Sequence, residues 1–320
     1  MVCLVLSLSI EAITPRQTTV QNIMEETKTL SQIKKLALSY LLETMPAKKF
    51  GILLKAERYF QALTYTTKGK LFKEIGISYF AAVDSSQKVE KGKVENFQTL
   101  ILYLSAGKNA GADICSFAST GCRLACLVGS GHSLIEKRAG KHVIDVSRIV
   151  KTWLAVYRKE IAIEVLKEEI RLASNRAEKK GFKFAVRLNG TSDLDFYEIY
   201  ESFPQIQFYD YTKNPGRVPL HNYHLTFSYS QANKARLTHY KQAQARGQAI
   251  AFPVRADEFV QACDLVDCFS MDKTDLRFLD KAGKYGILKA KQTENLAQGI
   301  KENFILSLRE LKQIIAQIEA

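Results

Sequence analysis

The sequence predicts an α/β protein, a full or partial (βα) barrel of about six to seven parallel strands with an N-terminal helical extension. Three observations carry this expectation. From Thr99 onward, short apolar runs of strand length alternate with stretches compatible with helix. Those runs end on clusters of Asn, Asp, Ser, Thr and Gly, the residues that turn a chain from strand to helix. Apolar residues recur at helical spacing near both ends of the chain. Alternation of this kind pairs strands in parallel through right-handed crossovers, and a doubly wound open sheet is the alternative.

Taken in order, Met1 to Ile10 is apolar but lacks the positive start of a signal peptide and is too short to span a bilayer, so a cytoplasmic protein is expected. Met24, just before Glu25-Glu26, is an alternative start. Leu30, Ile33, Leu36, Ala37, Tyr40 and Leu41, and then Phe50, Leu53, Leu54, Tyr59, Phe60 and Leu63, predict two amphipathic helices. Lys34, Lys35, Lys48, Lys49 and Lys55 fall between or opposite those stripes, suited to phosphate contacts or to a solvated face. Residues 1–84 are thus an accessory helical region and 85–320 the barrel-like domain, joined through a polar linker from Asp84 to Lys93.

Thr99 to Ser105 reads as a buried strand, and the Gly-rich run Ala106 to Gly111 leads from it into a cysteine loop over 113–127. From Asp145 or Ser147 as N-cap, one long helix or two abutting ones reach about Lys180, where Gly181 offers a C-cap. Six further strands follow: Phe182 to Leu188, Ile206 to Tyr211, His224 to Tyr229, Ala249 to Val254, Val266 to Met271 and Tyr285 to Ala290. Helical stretches fall at Ser230 to Arg246 and Asp257 to Leu265, and an amphipathic C-terminal helix over Glu294 to Ile318 is expected to complete the outer layer.

Cys115, Cys122 and Cys126 are half of the six cysteines in the chain, and their Cys-x6-Cys-x3-Cys spacing offers three thiolates from one short loop. With no secretory signal, thiolate ligation is the expectation rather than a disulfide framework. Three ligands and an open position suit a [4Fe-4S] cluster, or zinc completed by His132, His142 or water; three unligated thiols are the third reading. Cys263 and Cys268 read as small buried hydrophobes.

In a parallel βα fold the functional groups collect at the C-terminal strand ends. Those ends supply Asn189, Gly190, Thr191, Ser192 and Asp193, then Tyr209, Asp210 and Lys213, then Ser228, Arg255 and Asp272 through Asp275. Arg187, inside a strand, needs an anion when buried and is expected to anchor Asp193, Asp210 or a substrate.

The net charge of +13, from 46 Lys and Arg against 33 Asp and Glu, points to nucleic acid or another polyanion as partner and not to a membrane. A basic stretch from Lys234 to Arg246 includes His239, Lys241 and Tyr240, the last taken as available for stacking on a base. A non-catalytic nucleic-acid-binding protein clipped by a structural metal is therefore the alternative to an enzyme.

The cysteine loop after the first barrel strand resembles the layout of radical S-adenosylmethionine enzymes. Where that superfamily has Cys-x3-Cys-x2-Cys and Gly-Gly-Glu, this chain has Cys-x6-Cys-x3-Cys and Asn189-Gly190-Thr191-Ser192-Asp193, so layout alone carries the likeness. It implies a [4Fe-4S] cluster on Cys115, Cys122 and Cys126 and S-adenosylmethionine oriented by Arg187, Asn189, Gly190, Ser192 and Asp193. A nucleotide or nucleic-acid substrate would then face Asp193, Tyr209, Asp210, Lys213, Ser228 and Asp272. At motif level, Ile101 to Ser105, Cys115 to Leu127, Ala185 to Asp193, Gln207 to Lys213, Tyr223 to Ser228 and Asp275 to Asp280 resemble the phage gene product 88 family over roughly residues 85 to 291. That resemblance supports the cysteine site and implies no reaction.

Overall fold

The computed structural model describes residues 81–83, 95–130, 134–135, 143–157, 159–231, 236–293 and 295–320. The two N-terminal helices, His132, His142 and Lys234 lie outside them. The strands are β1 (Ala82–Val83), β2 (Phe97–Ile101), β3 (Lys183–Arg187), β4 (Gln207–Thr212), β5 (Tyr223–Ser228), β6 (Ile250–Val254), β7 (Cys268–Ser270) and β8 (Tyr285–Lys289). They form one sheet in the order β1-β2-β3-β4-β5-β6-β8-β7. From β2 to β7 all neighbours pair in parallel, and β1 joins β2 antiparallel. The seven parallel strands are the expected α/β ladder, and the sheet stays open between β1 and β7, a partial barrel. Because β1 belongs to this sheet, the sheet begins inside the stretch assigned to the accessory region.

The helices are α1 (Thr120–Leu124), α2 (Val143–Tyr157), α3 (Lys159–Lys179), α4 (Tyr197–Ser202), α5 (Arg236–Ala245), α6 (Phe259–Cys263), α7 (Leu296–Lys301) and α8 (Leu308–Glu319). The long predicted helix is two abutting ones, and the C-terminal one is split in two. Ser307 explains the second break: it caps α8 with Glu310 in a reciprocal capping box.

Strands β2 to β6 are laid down in chain order, so right-handed crossovers carry their connections over one face. Side chains alternate across the sheet accordingly. Leu100, Val186, Phe208 and Leu225 join Trp153, Leu166 and Ile170 in one core, while Ile250, Phe252, Val254 and Ile287 join Leu311, Ile314 and Ile318 in a second. Ala185 and Tyr209 face the other way and pack with Leu276, Phe97 and Phe278.

That inner layer follows from one reversal in strand order. β7 sits at the sheet edge and β8 lies inboard of it, so the step from β7 to β8 runs backward. A right-handed connection must then cross the opposite face. The connecting segment does so, and its 3-10 turn Arg277–Leu279 lies against β4 and β5.

α7 packs on α1. The two elements approach through glycines: a Cβ on Gly299 would stand 2.5 Å from the Cβ of Ala125, and one on Gly121 would stand 2.6 Å from the Cβ of Phe304. Among the described residues, no helix is long and apolar enough to cross a membrane.

Replacing a helix-interior glycine by alanine ordinarily adds up to about 1 kcal/mol of helix propensity. Gly299→Ala is expected to do the reverse, losing about 1–3 kcal/mol through overpacking against Ala125. The urea midpoint of unfolding measures it, and a variant more stable than wild type would contradict this contact.

Candidate functional site

The cysteine loop is fixed by its own side chains. Ser119 caps α1 by accepting from the Cys122 N–H at 3.2 Å. Arg123 donates to Asp113 at 2.9 Å and to the Cys115 carbonyl at 2.9 Å, while Asp113 accepts from the Cys115 N–H. The loop is then tied to the barrel. Buried Trp153 donates its indole N–H to Ala110 O at 3.0 Å, the Asp193 N–H donates to Ile114 O, and Ile114 N–H donates to Gly107 O.

The facing wall is the turn after β3. Gly190 N–H donates to Leu102 O, and a Cβ at Gly190 would stand 2.8 Å from that carbonyl oxygen. Thr191 donates its hydroxyl to Leu104 O at 2.6 Å. Asn189 shapes the turn: its side-chain oxygen accepts from Ser192 Oγ and Leu194 N, and its side-chain amide donates to Leu194 O. Asn189 in turn donates through its backbone N–H at 2.7 Å and its side chain at 3.0 Å to Asp210, which is fully buried.

Asp210 also accepts from the Tyr200 and Tyr223 hydroxyls, and Arg217 stands 3.8 Å away. Burial pushes the Asp210 carboxyl above its ordinary value, against the pull of Arg217 and the Asn189 donors. Arg217 spans to Asp193 at 2.8 Å, and Asp193 further accepts from Thr212 Oγ1 and the Lys213 N–H. Arg217 and the two tyrosines have no linear signature that would have marked them as one cluster.

A cavity of about 280 Å³ opens between these walls. Cys115, Cys122 and Cys126 line it, with Arg187, Asn189, Gly190, Ser192, Asp193, Lys213, Ser228 and Asp272 of the expected site residues. Tyr209 and Asp210 do not. Period-two alternation places Asp210 with Phe208 on the helix-facing side and packs Tyr209 with Leu276 under the inner segment.

Arg187 is buried and pairs with Asp275 at 2.9 Å, rather than with Asp193 or Asp210, because the β7–β8 connection brings Asp275 onto the inner face. Its guanidinium also lies over the Tyr211 ring at 4.9 Å. Tyr240 is buried and bonded to the backbone of Ser230, so its ring is not available for stacking as expected. Cys263 and Cys268 are half-buried and pack against the second core. Lys289, Lys291 and Phe304 also line the cavity; the strand-end rule applied to β8 would have found the two lysines.

Burial pushes the Cys115 thiol up to about 12, reinforced by Cys126, Cys122 and Asp193 nearby and opposed by an N–H from Gly107. Burial raises Cys126 as well, offset by Arg148 and Lys213. Among the described residues, no group of three or more His, Cys, Asp or Glu is gathered tightly enough to hold a metal ion. Zinc bonds of about 2.3 Å draw thiolates to a single point, whereas a multi-iron cluster holds them on separate irons. Cys115, Cys122 and Cys126 are part-buried and line one cavity together.

A family model described as Gene product 88 matches residues 80–306, and the chain belongs to that family. No curated protein and no solved structure matches it.

Two outcomes follow from this geometry. Asp210→Ala strands buried donors from Asn189, Tyr200, Tyr223 and Arg217, and should cost about 3–5 kcal/mol in chemical denaturation. Ser228→Ala, on the cavity wall, should stay within about 0.5 kcal/mol of wild type; equal effects would contradict the placement. In metal-free protein at pH 8, below its raised pKa, Cys115 is almost wholly protonated. Its alkylation by iodoacetamide, followed by peptide mass spectrometry, should run at least about 100-fold slower than that of free cysteine.

Proposed function

We propose that this gene product 88 protein is an iron-sulfur enzyme in which Cys115, Cys122 and Cys126 hold a [4Fe-4S] cluster on the wall of the cavity. One observation carries the reading: all three thiols line the same cavity as the turn after β3 and the ends of later strands. A structural clip needs no such frontage. When bound, a cluster with three protein ligands supplies redox chemistry and one iron open to a small molecule.

S-adenosylmethionine is the small molecule proposed, in the manner of radical enzymes, with the Asn189 to Asp193 turn as its cradle. Asn189, Ser192 and Leu194 keep that turn closed through their hydrogen bonds, and Asp193 holds the Lys213 backbone in place. Arg187 contributes a buried positive charge. Lys213, Ser228 and Asp272 face the remaining cavity, where a nucleotide or nucleic-acid substrate is proposed on the strength of the net charge of +13. The apolar Ala106, Ala118, Ala125, Ala251 and Ile305 on the walls limit water around the reacting groups.

Against a non-catalytic nucleic-acid-binding protein stand the burial of Tyr240 and the cavity-facing thiols. Anaerobic purification and reconstitution with iron and sulfide test the proposal. The expected result is a brown protein with about four irons per chain. Cys122→Ala should stay folded by circular dichroism and lose the colour. A colourless wild-type protein with stoichiometric zinc, or a Cys122→Ala variant that keeps its iron, would overturn it.

A further inference from the structure

The cavity carries more positive charge than its own carboxylates neutralise. Arg187, Lys213, Lys289 and Lys291 line it against Asp193, Asp272 and Asp275. Asp275 is engaged by Arg187 at 2.9 Å, and Asp193 by Arg217 at 2.8 Å. Lys213 lies over the Phe304 ring, 5.4 Å from its centroid. Among the described residues, neither Lys213, Lys289 nor Lys291 has a carboxylate within ion-pair distance.

A second observation is independent of the lysines. Arg187 is only 4% exposed, and its Nε has no hydrogen-bond partner among the described residues. Arg187 brings a buried positive charge to the cavity wall, where Asp275 pairs with it at 2.9 Å. The end of β8 and the chain just after it line the same cavity through Leu288, Lys289, Ala290 and Lys291 in succession, with the two lysines at alternate positions.

Size narrows the class. At about 280 Å³ the cavity is near the lower end of small-molecule sites. The cysteine loop lines it together with Phe304 and Ile305, which pack beside that loop at Gly121 and Gly299. A paired duplex does not fit within it. Three lysines without a carboxylate partner match a group of nearly two negative charges better than a single carboxylate, because lysine acts as a point charge toward phosphate.

We propose that the cavity binds a small phosphate-bearing ligand of mononucleotide size, with Lys289, Lys291 and Lys213 as the cations for its phosphate. This rests on reading the cavity as a ligand site, and not on which metal the thiols hold.

Calorimetric titration of the full chain, both metal-free and iron-reconstituted, tests it with AMP, GMP, CMP, UMP, inorganic phosphate and a short single-stranded oligonucleotide. At least one mononucleotide should bind with one-site stoichiometry to the metal-free or the reconstituted form. The exposed pair Lys289→Gln and Lys291→Gln, combined, should weaken that binding about tenfold or more while iron content and thermal midpoint stay unchanged. No mononucleotide binding to either form would overturn the proposal, and so would unchanged affinity in the double variant. Binding of the oligonucleotide alone, with a steep loss between about 50 and 200 mM salt, would overturn it in favour of a polymer-binding surface. The metal-free arm separates this outcome from failure of the iron-sulfur reading, which shows in iron content and colour.

Discussion

A fully buried carboxylate without compensation would be costly, and the wall of the cavity is organised around one that is compensated several times over. Asp210 accepts from the Asn189 backbone and side chain and from the Tyr200 and Tyr223 hydroxyls, and Arg217 relays from it to Asp193. Asn189 thereby sets the conformation of the turn after β3, and Asp193 fixes the start of the segment after β4. Asp193 also donates its backbone N–H to Ile114, immediately before the first cysteine. Asp210 is thus linked through Arg217 and Asp193, in three steps, to the loop that carries the thiols.

Topology supplies the second constraint. Because β8 inserts between β6 and β7, one connection crosses the inner face instead of the outer one. That segment fills the barrel floor with Leu276 and Phe278 and delivers Asp275 to Arg187. It leaves the cavity at the C-terminal strand ends, where α7 packs on α1, while β1 and β7 remain the two edges of the sheet. Gly121 and Gly299 are the positions whose missing side chains let those elements meet.

Much of this was legible in the sequence, and for identifiable reasons. The runs over Phe182 to Leu188 and Ala249 to Val254 are β-rich and bounded by turn residues, so local pattern suffices to find β3 and β6. β2 begins two residues before its apolar run, with Leu102 to Ser105 continuing as irregular chain that bonds the Gly190 and Thr191 turn. The strand-end rule placed Lys213, Ser228 and Asp272 on one cavity with the cysteines. It failed for Asp210, since only pairing register tells which face a strand residue takes. Arg187's partner was out of reach for a similar reason: Asp275 is 88 positions away and meets it only through the reversed strand order. Tyr240 looked exposed within a basic helix because neighbouring charges mask a single buried position in so short a stretch.

The iron-sulfur chemistry proposed for this cavity depends on Cys115, Cys122 and Cys126 sharing one metal centre. X-ray absorption at the iron edge of the reconstituted chain tests this most directly, by reading the ligands and the neighbours of the metal together. The account predicts iron bound by sulfur with an iron–iron shell, lost when all three cysteines are replaced by serine. An iron environment of nitrogen and oxygen alone, or the same spectrum in the triple variant, would contradict it.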